Sequence, residues 1–139
     1  MSFELKAHTA DIAVEATGRT LSTVFEAAAA GLSAAHSESI PAGGDRFHLT
    51  VAAESMEALL FDYLDELIYQ RDVRNALPTD HHVSIVDNDG DDGSVTLEAS
   101  ARGVPIEGIG AREIKAVTYS EMALERTPEG WRAYVVFDV

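Results

Sequence analysis

Apolar and polar residues alternate along Ile12-Ala13-Val14-Glu15-Ala16-Thr17, the period-two pattern of a half-buried strand, and Gly18 closes the run. The period then changes. Leu21, Val24, Phe25, Ala28, Leu32 and Ala35 recur at intervals of three and four, which predicts a helix capped by Thr20 and running to about His36. Its other face is mostly alanine, so close packing is expected. Pro41, Gly43 and Gly44 break the chain before a second alternating run, Phe47-His48-Leu49-Thr50-Val51-Ala52, which reads as a second strand. The clearest element is a helix predicted from the cap Ser55 to about Arg71. Glu57 lies in its first turn, and Met56, Leu59, Leu60, Tyr63, Leu64, Leu67 and Ile68 share one face. So large an apolar face has to lie on a sheet.

After a loop expected around Pro78, Val83–Val86 and Val95–Ala101 read as two strands joined by an Asp/Gly turn. Ile114–Leu124 and Trp131–Val139 form a further pair, with Pro128-Glu129-Gly130 as the final turn. Strands joined mostly by hairpin-like connections, with two helices interspersed, predict an α+β sandwich of helices packed on a largely antiparallel sheet. At 139 residues a single domain over 1–139 is expected, large enough to bury a core without disulfides or a structural zinc. No repeat or low-complexity linker interrupts it.

Composition narrows the function. The absence of cysteine removes thiolate nucleophiles and Cys-ligated zinc, and fits a reducing, cytoplasmic compartment. No signal-like segment opens the chain, and no stretch approaches the roughly 18 apolar residues of a membrane span. The formal charge is −14, with only Lys6 and Lys115 as lysines. Such a field repels phosphate, and no basic run could neutralise it, so direct nucleic-acid binding is not expected. The acidity reads instead as an adaptation of the whole surface to high salt.

Three places could carry chemistry. His8-Thr9-Ala10-Asp11 stands where one extended segment gives way to the next strand, although Thr9 and Asp11 could equally satisfy turn amides. At the other end Trp131, Ala133, Val135 and Phe137 alternate with Arg132, Tyr134, Val136 and Asp138, which puts Asp138 opposite the core face. Asp138 then adjoins the α-carboxylate of Val139; with a third carboxylate such as Asp11 these oxygens could take Ca²⁺ or Mg²⁺, or the terminus could simply be frayed and solvated. In Glu113-Ile114-Lys115-Ala116-Val117-Thr118-Tyr119, alternation sets Lys115, Val117 and Tyr119 on one face and Ile114, Ala116 and Thr118 on the other. Alone, Lys115 reads as half of a surface ion pair of little worth. The run Asp87-Asn88-Asp89-Gly90-Asp91-Asp92-Gly93 looks like an EF-hand loop, but Asp92 takes the place of the required glycine and strands flank it, so it reads as an acidic hairpin turn.

Four segments in register resemble the archease family: the His8–Asp11 quartet, the helix segment Leu60–Tyr69, Lys115-Ala116-Val117-Thr118-Tyr119, and the ending Trp131–Val139 with Phe137-Asp138-Val139. The resemblance implies an accessory protein and not an enzyme, one that assists the tRNA-splicing RNA ligase by promoting its guanylylation and multiple turnover. It also implies a chaperone-like fold and a bound divalent cation, usually taken as Ca²⁺. Carried over by motif, Asp11, Asp138 and the carboxylate of Val139 would be the metal ligands, with His8 and Lys115 at or near the functional surface. One departure is Ser120, where the family run usually continues into histidine. Two other classes stay open. A small divalent-metal-dependent hydrolase would need a substrate pocket, and Gly103, Gly108 and Gly110 lack phosphate-loop spacing. A chaperone, or a modulator of a tRNA-modifying enzyme, would need an exposed apolar patch.

Overall fold

The computed structural model describes residues 2–8, 11–37, 39–87, 94–107 and 113–139. Among them the order is β1 (Ser2–His8), β2 (Asp11–Gly18), α1 (Leu21–His36), β3 (Asp45–Ala53), α2 (Met56–Arg74), β4 (Ala76–Asp87), β5 (Val95–Pro105), β6 (Ala116–Thr127) and β7 (Gly130–Asp138). All strand pairs are antiparallel, in two sheets ordered β1-β2-β7-β6 and β3-β5-β4. Each helix contacts strands of both sheets. One core therefore joins Val14, Ala133 and Phe137 of the first sheet to Phe47 and Leu97 of the second, through Phe25 of α1 and Leu64 of α2. The α+β sandwich is as the pattern predicted, with two sheets where one was expected.

Local chemistry sets the helix ends. At α1 the Thr20 hydroxyl accepts the Thr23 N–H at 3.1 Å, while the Thr23 hydroxyl accepts the Thr20 N–H at 3.0 Å, a reciprocal cap for two donors that the first turn leaves free. At α2 the Ser55 hydroxyl accepts the Ala58 N–H at 3.1 Å, and Asn75 stops the helix in the left-handed conformation, φ 50°. Ala27, Ala28 and Ala29 of α1 are fully buried, which is the close packing its alanines imply. Gly31 carries this furthest: a Cβ there would stand 2.5 Å from a methyl of Val14 in β2.

Three expectations change. Pro78 lies within a strand, not in a loop; β4 is an edge strand, the place in a sheet that tolerates proline. The register of β4 shifts between Thr79 and His82, and Asp80 there takes a positive φ and pairs its carboxylate with Arg46. The last strand pair starts later than expected, at Ala116, and Ile114 and Val117 are both buried in the core, so the period-two pattern breaks at Lys115. A second shift follows between Thr118 and Ala123, with Glu121 at positive φ. The acidic run 88–93 lies outside the described residues, but Asp87 pairs with Val95, so strands and not helices flank it. Thr127 pairs with Gly130 across Pro128-Glu129, the predicted final turn.

Candidate functional site

Strand register brings the two ends of the chain together. In the β2–β7 ladder Ile12 faces Phe137 and Asp11 faces Asp138. Phe137 is fully buried, so the period of two turns the Asp138 side chain to the outer face, where it is exposed, with Asp11 half-buried beside it. Directly opposed residues carry their Cβ atoms about 4.5–5.5 Å apart, and two like charges so placed destabilise the pair. His8 holds the register position opposite Asp11, and Ala116 the one opposite Asp138, so a single row crosses all four strands. Thr9 and Ala10 lie outside the described residues.

Lys115 reaches the same place by its backbone. Its N–H donates to the Asp138 carbonyl at 2.8 Å, and its side chain is exposed. Val139 follows Asp138 directly and is 37% exposed. Two residues along β6 from Ala116, on the same face, the buried Thr118 hydroxyl has no hydrogen-bond partner among the described residues. Among the described residues no three His, Asp or Glu side chains come together as a metal cage. The donors at this edge are two side-chain carboxylates and the chain's own oxygens at Val139, a hard-oxygen set that fits Ca²⁺ or Mg²⁺.

Behind this edge lies a constellation the sequence reading missed. Arg71 of α2, 7% exposed, donates through Nη1 to the Ile114 carbonyl at 2.8 Å and to His36 Nε2 at 2.7 Å. Its Nε and Nη2 both reach Asp72 Oδ1, at 3.0 and 2.9 Å. Because guanidinium only donates, His36 Nε2 is unprotonated, and Nδ1 donates to the Leu32 carbonyl at 2.9 Å. Burial pushes the His36 pKa down to about 4. A signal for both residues was present: Arg71 continues the Leu64, Leu67, Ile68 stripe, and His36 stands four after Leu32. Nearby, Tyr119 stacks on Phe61 of α2 at 3.9 Å. Ser120 is exposed within the irregular stretch of β6.

A second histidine contact, between Ser33 and His81, is structural. The Ser33 hydroxyl, on a residue only 4% exposed, lies 2.7 Å from the Pro78 carbonyl, 3.1 Å from the Ala29 carbonyl and 2.7 Å from His81 Nε2. Its single proton goes to a carbonyl, so His81 donates to it, and the contact fastens the irregular part of β4 to α1. Burial pushes the His81 pKa down to about 4. Among the described residues no helix is long and apolar enough to cross a membrane.

Known proteins are similar to this chain in sequence and fold. The family described as "Archease protein family (MTH1598/TM1083)" matches residues 3–139. Among relatives named "Protein archease", that of Methanosarcina barkeri is 31% identical, over 99% of this chain and 95% of its own. That of Pyrococcus furiosus is 34% identical over 95% and 94%. The solution structure of Methanobacterium thermoautotrophicum protein 1598 is 30% identical with a TM-score of 0.84, covering 99% of this chain and 98% of that one. A Thermotoga maritima crystal structure described as an archease and possible chaperone shares the fold at a TM-score of 0.64 and 23% identity, over 95% of this chain and 93% of its own. The chain therefore belongs to the archease family.

Proposed function

We propose that this protein is a non-enzymatic activator of the tRNA-splicing RNA ligase, promoting the ligase's guanylylation and its multiple turnover. Family membership supports the reading, and one observation carries it: Asp11 stands directly opposite Asp138, with the backbone of Lys115 bonded to the same Asp138. In this reading Asp11, Asp138 and the α-carboxylate of Val139 hold a divalent cation, Ca²⁺. The bound cation supplies charge neutralisation, which allows the opposed carboxylates to form an ordered edge. Lys115, exposed at that edge, presents an ammonium to the ligase near its nucleotide pocket, and His8 borders the same row. The chain contributes no nucleophile; it positions groups that belong to the ligase. Its partner is a protein, because a net charge of −14 disfavours direct contact with RNA. A cysteine-free chain of this kind suits a cytoplasmic setting.

The deciding measurement is guanylylation of the same organism's ligase, under single and multiple turnover, with and without this protein, at low and at molar salt. Acceleration by substoichiometric protein is expected. Lys115→Ala should fold as the parent does, since an exposed lysine contributes little to stability, and should lose the acceleration. No acceleration at either salt discards the reading, and full acceleration by Lys115→Ala removes that residue from it.

A further inference from the structure

The peptide group between Ile114 and Lys115 is gripped at both of its polar ends. Its carbonyl accepts from Arg71 Nη1 at 2.8 Å, and its N–H donates to the Asp138 carbonyl at 2.8 Å. A planar trans peptide held at both O and H has little freedom to rotate, so the direction in which the Lys115 side chain leaves the backbone is set. This is also where the period-two pattern fails. Ile114 and Val117 both enter the core, and the residues just before Ala116 belong to no regular strand, so the Lys115 N–H bond to Asp138 continues the ladder by one bond but leaves the Ile114 carbonyl to another donor. Arg71 is that donor.

Burying a guanidinium is costly unless its donors are satisfied and its charge is balanced. Here both N–H groups of Nη1 are used, one on Ile114 and one on His36, while Nε and Nη2 reach the Asp72 carboxylate. Asp72 is solvent-facing, so the charge is balanced at the surface while the Nη1 end enters the interior. His36 is orientated in turn by its bond to the Leu32 carbonyl. The chain of contacts runs from α1 through α2 to the segment that carries Lys115, with no mobile side chain at its inner links: Arg71 is 7% and His36 2% exposed. A lysine in place of Arg71 would bring a compact ammonium without the planar fork needed to span both acceptors.

We propose that Arg71 is a positioning residue for Lys115: with His36 behind it, the guanidinium locks the Ile114–Lys115 peptide against Asp138 and so fixes where the Lys115 ammonium is presented. The inference rests on the activator reading for its consequence, but its structural half can be measured without the ligase. The experiment replaces Arg71→Lys and, separately, His36→Gln, and follows amide hydrogen exchange residue by residue together with ligase guanylylation. In Arg71→Lys the Lys115 amide should exchange faster by about tenfold or more, with the Leu64 and Val135 amides changed by less than about threefold. Maximal ligase stimulation should fall by about tenfold, while the concentration giving half of it stays within about twofold, because docking is untouched and presentation is lost. His36→Gln should change the same two readouts in the same direction by a smaller factor, and it keeps the test open if Arg71→Lys fails to fold.

Unchanged exchange at Lys115 in both variants overturns the proposal, and so does a uniform rise at every amide, which is the mark of a merely stabilising contact. Loosened exchange with undiminished stimulation overturns it as well. If the parent protein fails to stimulate the ligase, the activator reading fails on that control alone, and the exchange data still decide whether Arg71 holds Lys115.

Discussion

Asp11 and Asp138 are each unremarkable alone; their pairing is what needs an explanation. Two carboxylates directly opposite across antiparallel strands repel by an amount in the range of about 0.2–1 kcal/mol. Moderate exposure lowers the cost without removing it. Any neutral residue at either position would relieve it, and in the proposed function a bound cation would compensate the charge. Asp138→Asn separates the two contributions. Without divalent ions the variant should melt at or slightly above the parent, because the repulsion is gone. With Ca²⁺ at a hundredfold excess over its dissociation constant the parent should gain about 2.7 kcal/mol, and the variant almost none. Thermal melts in EDTA and in CaCl₂ check both halves. A parent indifferent to CaCl₂, or a variant that gains as much as the parent, removes the cation from this edge.

At the scale of elements, the C-terminal end of α1 contains a buried titratable group. Burial is the main reason that the His36 pKa falls from 6.5 to about 4; the bond to Leu32 opposes the shift, and the Arg71 guanidinium reinforces it. The unfolded chain takes up this proton near pH 6.5 and the folded one only near pH 4. Between those values the unfolded state binds more protons, so stability is complete above about pH 6.5 and declines as pH falls towards 4. The ceiling is on the order of 3 kcal/mol for this residue. Protonation in the folded state, near pH 4, also places a cation against Arg71, so the Ile114 anchor should loosen there. Unfolding free energies from urea melts between pH 7 and 4.5 should fall more steeply in the parent than in His36→Gln, by up to about 1.4 kcal/mol per pH unit at mid-range. Parallel pH profiles would mean that His36 is solvated in the folded state.

Elements with a continuous pattern were legible in the sequence, and those shaped by one long-range bond were not. Thr20 and Ser55 mark both helix starts because capping needs only a hydroxyl and the next three residues. The facing of Asp138 away from the core followed from alternation along β7. Alternation misled at Ile114–Val117, where an arginine 43 residues away takes the carbonyl of Ile114. It misled differently at Pro78, since nothing local tells an edge strand from a loop. The proximity of Asp11 to Asp138 was suggested by the family resemblance; the register that makes them direct partners belongs to the folded sheet.

For the whole molecule, the division into two sheets has the same origin. The expected hairpins pair, β4 with β5 and β6 with β7, but whether β2 joins β7 or β3 is a choice between distant strands, and hydrophobic period carries no record of it. Charge is the property legible at this scale without the fold: 24 acidic residues stand against 10 basic ones. Some acids are paired, as in Glu15 and Glu125 with Arg132 or Asp80 with Arg46, and such partly exposed pairs contribute little each. The unbalanced excess of carboxylates repels across the whole surface, and the compact state concentrates that repulsion relative to the unfolded chain. Added salt weakens the pairs and the repulsion together; with so large an excess of one sign the repulsion dominates. Raising KCl from about 0.1 M to 1 M shortens the Debye length from about 10 Å to about 3 Å. The melting temperature should rise by several degrees over that interval in EDTA, where the proposed cation cannot contribute. Chloride is the salt to use, because sulfate also strengthens apolar burial and would raise stability for an unrelated reason. A melting temperature that stays level or falls would show that local pairs outweigh the net field, and the acidity would then have to serve partner choice and not survival in brine.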